Sequence, residues 1–184
     1  EGRAVYDNIR RFAGYHFCSN VGELTPFLVW GISGGAVPLP LVVMLHGCSQ
    51  TPDDFARATG MNELAARDRF VVVYPAQSVS ANRSKCWNWF RPMDQQRGRG
   101  EPAIIAGLTR FLIKRYDLDR KRVYVAGLSA GAAMAVVLVH NYPELYAALG
   151  VHSGLPYGAA HDVSSALAAM RGERIDCAEA LRSE

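Results

Sequence analysis

No apolar run in this sequence approaches the roughly 18 residues that a membrane-crossing helix requires, and no charged-then-apolar leader stands at its start. A membrane span is therefore not expected, while the first residue, Glu1, is not a methionine and leaves any signal peptide open. Cysteine is scarce. Cys18, Cys48, Cys86 and Cys177 have none of the short paired spacings of a zinc site, so neither a metal nor another cofactor is expected. An excess of one charge is missing too: 20 Lys and Arg face 17 Asp and Glu, a formal net charge of +3, and nucleic-acid binding is not indicated. The densest basic stretch, Arg83, Lys85, Arg91, Arg97 and Arg99, is broken by polar and aromatic residues. It reads as a solvated loop, or as the rim of a site that attracts acidic molecules. No internal repeat or low-complexity tract interrupts the chain, and 184 residues of 49% apolar composition bound it to a single domain, 1–184, with one core.

What is present is an alternation of apolar runs and helix-length segments. Leu41-Val42-Val43-Met44-Leu45 has the continuous apolar character of a strand buried on both faces. Thr51-Pro52-Asp53-Asp54 is a helix start, with threonine as N-cap, proline at N1 and acids in the first turn, and predicts a helix to about Arg67. Phe70 to Tyr74 reads as the next buried strand, and Gln77 to Gly100 is too long and irregular for a simple connection. Loops of that kind often carry binding groups. Glu101-Pro102 opens a helix to about Tyr116, with Ile104, Ile105, Leu108, Phe111 and Leu112 as its apolar face. A strand over Arg122–Leu128, a helix from Ala130 to about Asn141, a strand over Ala147–His152 and a helix over Val163–Met170 follow. Tyr15–Phe17 and Phe27–Ile32 read as edge strands, Glu1–Arg11 as a short helix or loose arm, and Glu173–Leu181 as a short helix. This order predicts an α/β fold: a mostly parallel sheet flanked by helices and joined by right-handed crossovers.

Within it, Val123 to Ala135 places Gly127-Leu128-Ser129-Ala130-Gly131 between a β-branched apolar run and a small-residue helix. One reading is a glycine-rich turn with an ordinary N-capping serine. The stronger reading is a nucleophile elbow with Ser129 at its tip, a strained strand-to-helix turn where side chains at Gly127 or Gly131 would collide with neighbouring backbone. The loop His46-Gly47-Cys48-Ser49-Gln50 leaves the strand that would lie beside such an elbow in an α/β-hydrolase sheet. These folds stabilise an oxyanion with the N–H after the nucleophile and a second N–H from that loop, here Ala130 and Cys48. His46 reads as a hydrogen-bonding residue of the loop rather than as a base, because the chain order in this fold is serine, then acid, then histidine.

Together, Leu41 to Gln50, the stretch Asn82-Arg83-Ser84-Lys85-Cys86-Trp87-Asn88-Trp89-Phe90 and the elbow resemble the esterase family that includes poly(3-hydroxybutyrate) depolymerases and is related to feruloyl and acetylxylan esterases. The likeness runs from about Tyr15 to Arg171. It implies a serine esterase that hydrolyses carboxylic esters through an acyl-enzyme on Ser129, with substrates from polyhydroxyalkanoates to acyl esters on plant polysaccharides. It also favours a Cys48–Cys86 disulfide pinning the oxyanion loop, against the alternative of two free, partly buried thiols. The disulfide would imply an oxidising compartment, so a secreted or periplasmic location. Trp87 and Trp89, with Phe90, are candidates for substrate binding by flat apolar surface, or else simply cover the end of the sheet.

The catalytic set is incomplete as written. A serine hydroxyl needs a histidine to take its proton, and that histidine needs an acid. After Ser129 the histidines are His140, His152 and His161, and none follows a further apolar strand. The expectation is an α/β-hydrolase-type sheet that lacks the family's acid and base segments and is incomplete on its C-terminal side. The resulting exposed edge strand would favour self-association. The alternatives are a catalytically inactive binding module or fragment, and an assembly in which another chain supplies histidine and acid.

Overall fold

The computed structural model describes residues 38–172. Nearly all belong to the larger of the two units into which the chain divides, Leu39–Glu184. The segments read as strands at Tyr15–Phe17 and Phe27–Ile32, the stretch Glu1–Arg11, the C-terminal helix, Cys18 and Cys177 lie outside the described residues.

Four strands form a parallel sheet in the order β2-β1-β3-β4: β1 (Leu41–Leu45), β2 (Val71–Val73), β3 (Val123–Leu128) and β4 (Ala148–His152). Leu41 pairs with Val71 on one side and Val123 on the other. The same register sets Leu45 opposite Gly127, and Leu128 opposite His152. The carboxyl ends of β1, β3 and β4 therefore meet at one rim, where the elbow and the loop after β1 leave the sheet. With neighbours on both sides, β1 buries Leu41, Val43 and Leu45 completely, as its unbroken apolar run predicts.

The expected single helix after β1 is two helices, α1 (Pro52–Thr59) and α2 (Met61–Asp68). Thr51 and Asp54 form the reciprocal N-terminal cap, Thr51 Oγ1 accepting from the Asp54 N–H at 3.2 Å and Asp54 Oδ2 from the Thr51 N–H at 3.1 Å. Gly60, at φ 61°, ends α1 with its N–H donated to the Ala56 carbonyl. The helical pattern in the sequence runs across this glycine, but a left-handed cap there turns the chain.

α3 (Gly100–Tyr116) forms where expected and buries a different face. Ile105, Ala106, Thr109 and Ile113 are buried together with Glu101 and Pro102, while Ile104 and Phe111 are 71% and 61% exposed. Counting apolar residues missed this orientation because the buried face carries two polar groups that find partners. Thr109 Oγ1 lies 3.1 Å from the Tyr146 hydroxyl, and Glu101 is met by donors from the 77–88 loop.

α4 (Ala130–Asn141) lies over β1, β3 and β4. Its small first turn, Ala130 to Ala133, is buried against the strands, and Met134, Val137 and Leu138 fill the space behind it. α5 (Val163–Met170) follows β4, capped by Asp162, whose Oδ1 accepts from the Ser165 N–H at 2.7 Å. Among the described residues β4 has a strand neighbour only at β3, and its Val151 is 50% exposed. No helix among them is long and apolar enough to cross a membrane.

Candidate active site

Close packing of backbone shapes the turn at Ser129. A Cβ on Gly127 would run into the Gly131 backbone and stand 2.6 Å from the Ala132 nitrogen. A Cβ on Gly131 would strike the carbonyls of Leu45 and His46 at the end of β1. Between these glycines Ser129 adopts φ 54°, ψ −118°. Such a backbone costs a non-glycine residue on the order of 1–3 kcal/mol and persists only where its surroundings impose it. The Ser129 N–H donates to the His152 carbonyl at 2.9 Å, and the Ser129 carbonyl accepts from the Ala133 N–H at 3.0 Å. Its Oγ has no hydrogen-bond partner among the described residues.

The contact of Gly131 with Leu45 and His46 also brings the loop after β1 against the N-terminus of α4. A Cβ on Gly47 would lie 3.5 Å from the Leu128 carbonyl, so the loop runs beside the residue preceding Ser129. It is held from several directions. Gly47 N–H donates to Gln50 Oε1 at 2.8 Å, and Ser49 N–H to the Ser84 carbonyl at 2.7 Å. Cys48 is disulfide-bonded to Cys86, as the resemblance implied, which excludes two free thiols. Among the described residues, the N–H groups of Cys48 and Ala130 make no hydrogen bond.

His46 is 1% exposed and engaged at both ring nitrogens. Nδ1 lies 2.8 Å from the Gly47 carbonyl, and Nε2 accepts the Gln77 backbone N–H at 3.2 Å. An N–H can only donate, so Nε2 is unprotonated and Nδ1 carries the proton. Burial holds the pKa below its ordinary 6.5 and the nearby Lys85 ammonium adds to that, against the opposing pull of the Gly47 carbonyl. As the sequence suggested, this histidine works within the loop. The Gly47 C=O and the Cys48 N–H belong to one planar peptide, so the bond from Nδ1 to Gly47 also fixes the direction of the Cys48 N–H.

Of the two readings of Trp87 and Trp89, burial favours rings that cover the end of the sheet. They are 3% and 5% exposed and belong to the core, so neither offers a flat surface to substrate. Trp87 Nε1 donates to the His46 carbonyl at 3.0 Å, since a buried indole N–H needs an acceptor. Trp89 packs edge-on against Phe90, ring centroids 5.7 Å apart.

Two residues went unrecognised in the sequence. Gln77 donates from its side-chain amide to the Cys86 carbonyl at 3.0 Å and also to Glu101. Glu101, 9% exposed, accepts in addition from the Asn88 N–H at 2.7 Å and from the Asn88 side-chain amide. Burial pushes its carboxyl pKa up, against the lowering effect of those three donors. An acid in a first helical turn reads as a complement to the helix dipole, so no separate signal marks Glu101 in the sequence. The length of the 77–100 loop was the only hint.

Three histidines follow Ser129 among the described residues. His140 stacks on Tyr157 at 3.7 Å, His152 Nδ1 lies 3.2 Å from Ser153 Oγ, and His161 is exposed just before α5. Among the described residues, none of their rings is hydrogen-bonded to Ser129.

A strained serine at a strand-to-helix turn, flanked by a disulfide-pinned loop, is the arrangement the sequence likeness called for. A family model described as Esterase PHB depolymerase matches residues 28–182. The chain belongs to this family. Poly(3-hydroxyalkanoate) depolymerase C of Paucimonas lemoignei is 41% identical over 155 residues, 84% of this chain and 37% of that protein. Probable acetylxylan esterase A of Aspergillus fumigatus is 32% identical over 126 residues, 68% of this chain and 33% of that protein. Feruloyl esterase B of Neurospora crassa is 31% identical over 127 residues, 68% and 42% of the two. Among solved structures, acetyl xylan esterase from Aspergillus awamori superposes with a TM-score of 0.65 at 30% identity, over 71% of this chain and 47% of that one. The chain thus spans well under half the length of the curated relatives it matches. Membership of this family, with the likeness to the acetyl xylan esterase structure, gives the chain an α/β-hydrolase fold, and the relatives named are esterases and depolymerases.

Proposed function

We propose that this chain carries the nucleophile and the oxyanion donors of a serine esterase. In this reading Ser129 Oγ attacks the ester carbonyl, and the N–H groups of Ala130 and Cys48 receive the oxygen that becomes negative. Attack forms the Oγ–C bond and sends the hydroxyl proton to a base. Collapse expels the alcohol, which takes up that proton, and water then releases the acid from the acyl-enzyme. The observation that carries the reading is Ser129 itself, held at φ 54° with an Oγ that has no partner among the described residues; the N–H groups of Ala130 and Cys48, which bond to nothing among those residues, support it. The base and its acid come from outside those residues. The substrates are carboxylic esters of polyhydroxyalkanoate or polysaccharide-linked acyl type, the chemistry named by the relatives. The Cys48–Cys86 disulfide supports a secreted or periplasmic setting, and the exposed β4 edge supports self-association.

That no histidine ring among the described residues bonds to Ser129 Oγ favours one rival, a binding module without acyl transfer. Mass spectrometry after incubation with a fluorophosphonate separates the two. Stoichiometric labelling that Ser129→Ala abolishes is expected; folded protein that takes no label leaves the binding module.

A further inference from the structure

We propose that Glu101 is a positioning residue for the Cys48 N–H, acting through Gln77 and His46; the proposal rests on the reading of Cys48 as an oxyanion donor. Each link is a hydrogen bond. Glu101 holds the Gln77 side chain, whose amide also holds the Cys86 carbonyl, next to the disulfide partner of Cys48. The Gln77 backbone N–H occupies His46 Nε2, which leaves the ring proton on Nδ1, and Nδ1 grips the Gly47 carbonyl of the Gly47–Cys48 peptide. Glu101 also takes both Asn88 donors, while the neighbouring Trp87 indole grips the His46 carbonyl. The loop is thus fastened at His46, Gly47 and Cys48, and two of those three fastenings run through residues that Glu101 bonds.

A carboxylate suits this point for a chemical reason. Three N–H donors converge on Glu101, and only an ionised acid offers acceptors at every position without a donor of its own. A glutamine would turn an amide N–H toward one of them. Neither neighbour can adapt by flipping, because Gln77 Oε1 already accepts from the Ser78 N–H at 3.0 Å and Asn88 Oδ1 from Asn82 Nδ2 at 2.9 Å. Burying a carboxylate is unfavourable in itself. A residue serving only the packing of α3 would more simply be apolar, so its retention here fits a demand for a fixed loop.

The test is Glu101→Gln beside Thr109→Val, which removes a buried hydrogen bond from the same helix about two turns further on. Amide exchange at Ser49, Gln50 and Gln77, read by NMR on the whole chain, reports the loop without any need for activity. The fluorophosphonate labelling rate of Ser129, and kcat and KM for p-nitrophenyl acetate, report its effect on chemistry. We expect Glu101→Gln to speed loop exchange and to slow labelling and kcat by about tenfold, less than the loss of a whole oxyanion donor, with KM within about twofold. Thr109→Val should leave all of these near wild type. Loop exchange unchanged in Glu101→Gln overturns the proposal, and so does an equal response in both variants, which would mean general loosening of α3. Wild-type protein that never labels at Ser129 defeats the functional reading and this inference with it, and is recognised by needing no substitution.

Discussion

The backbone N–H of Ser129 donates to the carbonyl of His152 across 2.9 Å, which ties the tip of the elbow to the end of the neighbouring strand. β3 and β4 run in parallel register up to the Leu128–His152 pair, so the tie extends the sheet by one hydrogen bond beyond its last paired residues. That bond helps to hold a serine at positive φ, and the conformation is what turns its side chain out of the helix that follows.

The first prediction concerns this strain. Ser129→Ala keeps the positive φ and its cost, whereas Ser129→Gly adopts the same backbone freely. Both should lose fluorophosphonate labelling, but the glycine variant should be more stable by about 1 kcal/mol, after allowing for its greater unfolded-state freedom. Urea denaturation of the two proteins measures the difference. Equal midpoints would mean that the turn stores no strain.

Gly131 and Gly107 make a matched pair on two helices. At Gly131 a methyl group meets backbone carbonyls that have nowhere to go, while at Gly107 nothing lies within 4 Å. Gly131→Ala should therefore cost about 2–4 kcal/mol and displace α4 from β1. Gly107→Ala, in an exposed helix interior, should gain up to about 1 kcal/mol. Denaturation curves that shift both variants the same way would refute the distinction.

These positions show what the sequence could reveal and what it could not. The elbow was legible because steric exclusion at Gly127 and Gly131 leaves a mark in residue type, and β1 because burial on both sides demands an unbroken apolar run. The α3 face was misjudged because Glu101 and Thr109 are polar yet buried, and only their partners, distant in sequence, make that tolerable. Trp87 and Trp89 were ambiguous for a related reason: an aromatic ring in a loop looks the same whether it faces a ligand or the core. The expected helix to Arg67 broke at Gly60 because periodicity continues through a left-handed cap.

Reduction of the Cys48–Cys86 bond should destabilise the fold by about 4 kcal/mol on the chain-entropy account, given a sequence separation of 38. Labelling of Ser129 should slow as the loop loosens. Melting temperatures with and without a phosphine reductant, and for Cys86→Ser, measure the first effect. If labelling is unchanged in reduced, folded protein, the bonds from Ser49 to Ser84 and from His46 to Gln77 suffice to hold the loop.

β4 predicts association. One edge has no strand partner among the described residues, and Val151 exposes half its surface there. Sedimentation velocity should show a concentration-dependent increase in mass that Val151→Lys reduces, because a charge on an edge strand opposes further pairing. A single monomeric boundary at all concentrations would remove self-association from the functional picture.

The last prediction is a pH dependence carried by His46. Its folded-state pKa lies below the unfolded 6.5, from burial first and Lys85 second, so the folded chain binds this proton less readily than the unfolded one. The stability this contributes is present above about pH 6.5 and is lost as pH falls toward the folded value. Neither of two shifted carboxyls produces this decline: one has the opposite sign and the other titrates too low. Glu101 is shifted upward from 4.5, so acidification through its range favours the fold. Glu144 is exposed and held at about 2, first by its hydrogen bond from Arg97, so its loss begins only below pH 4.5. Urea midpoints at about pH 7.5 and 5.5 should therefore fall in the wild type. They should fall less in His46→Asn, whose amide can still donate to Gly47 but does not titrate. A midpoint that is flat over this interval in both proteins would mean that His46 binds its proton as readily in the folded chain as in the unfolded one, and the acceptor role of Nε2 toward the Gln77 N–H would be wrong.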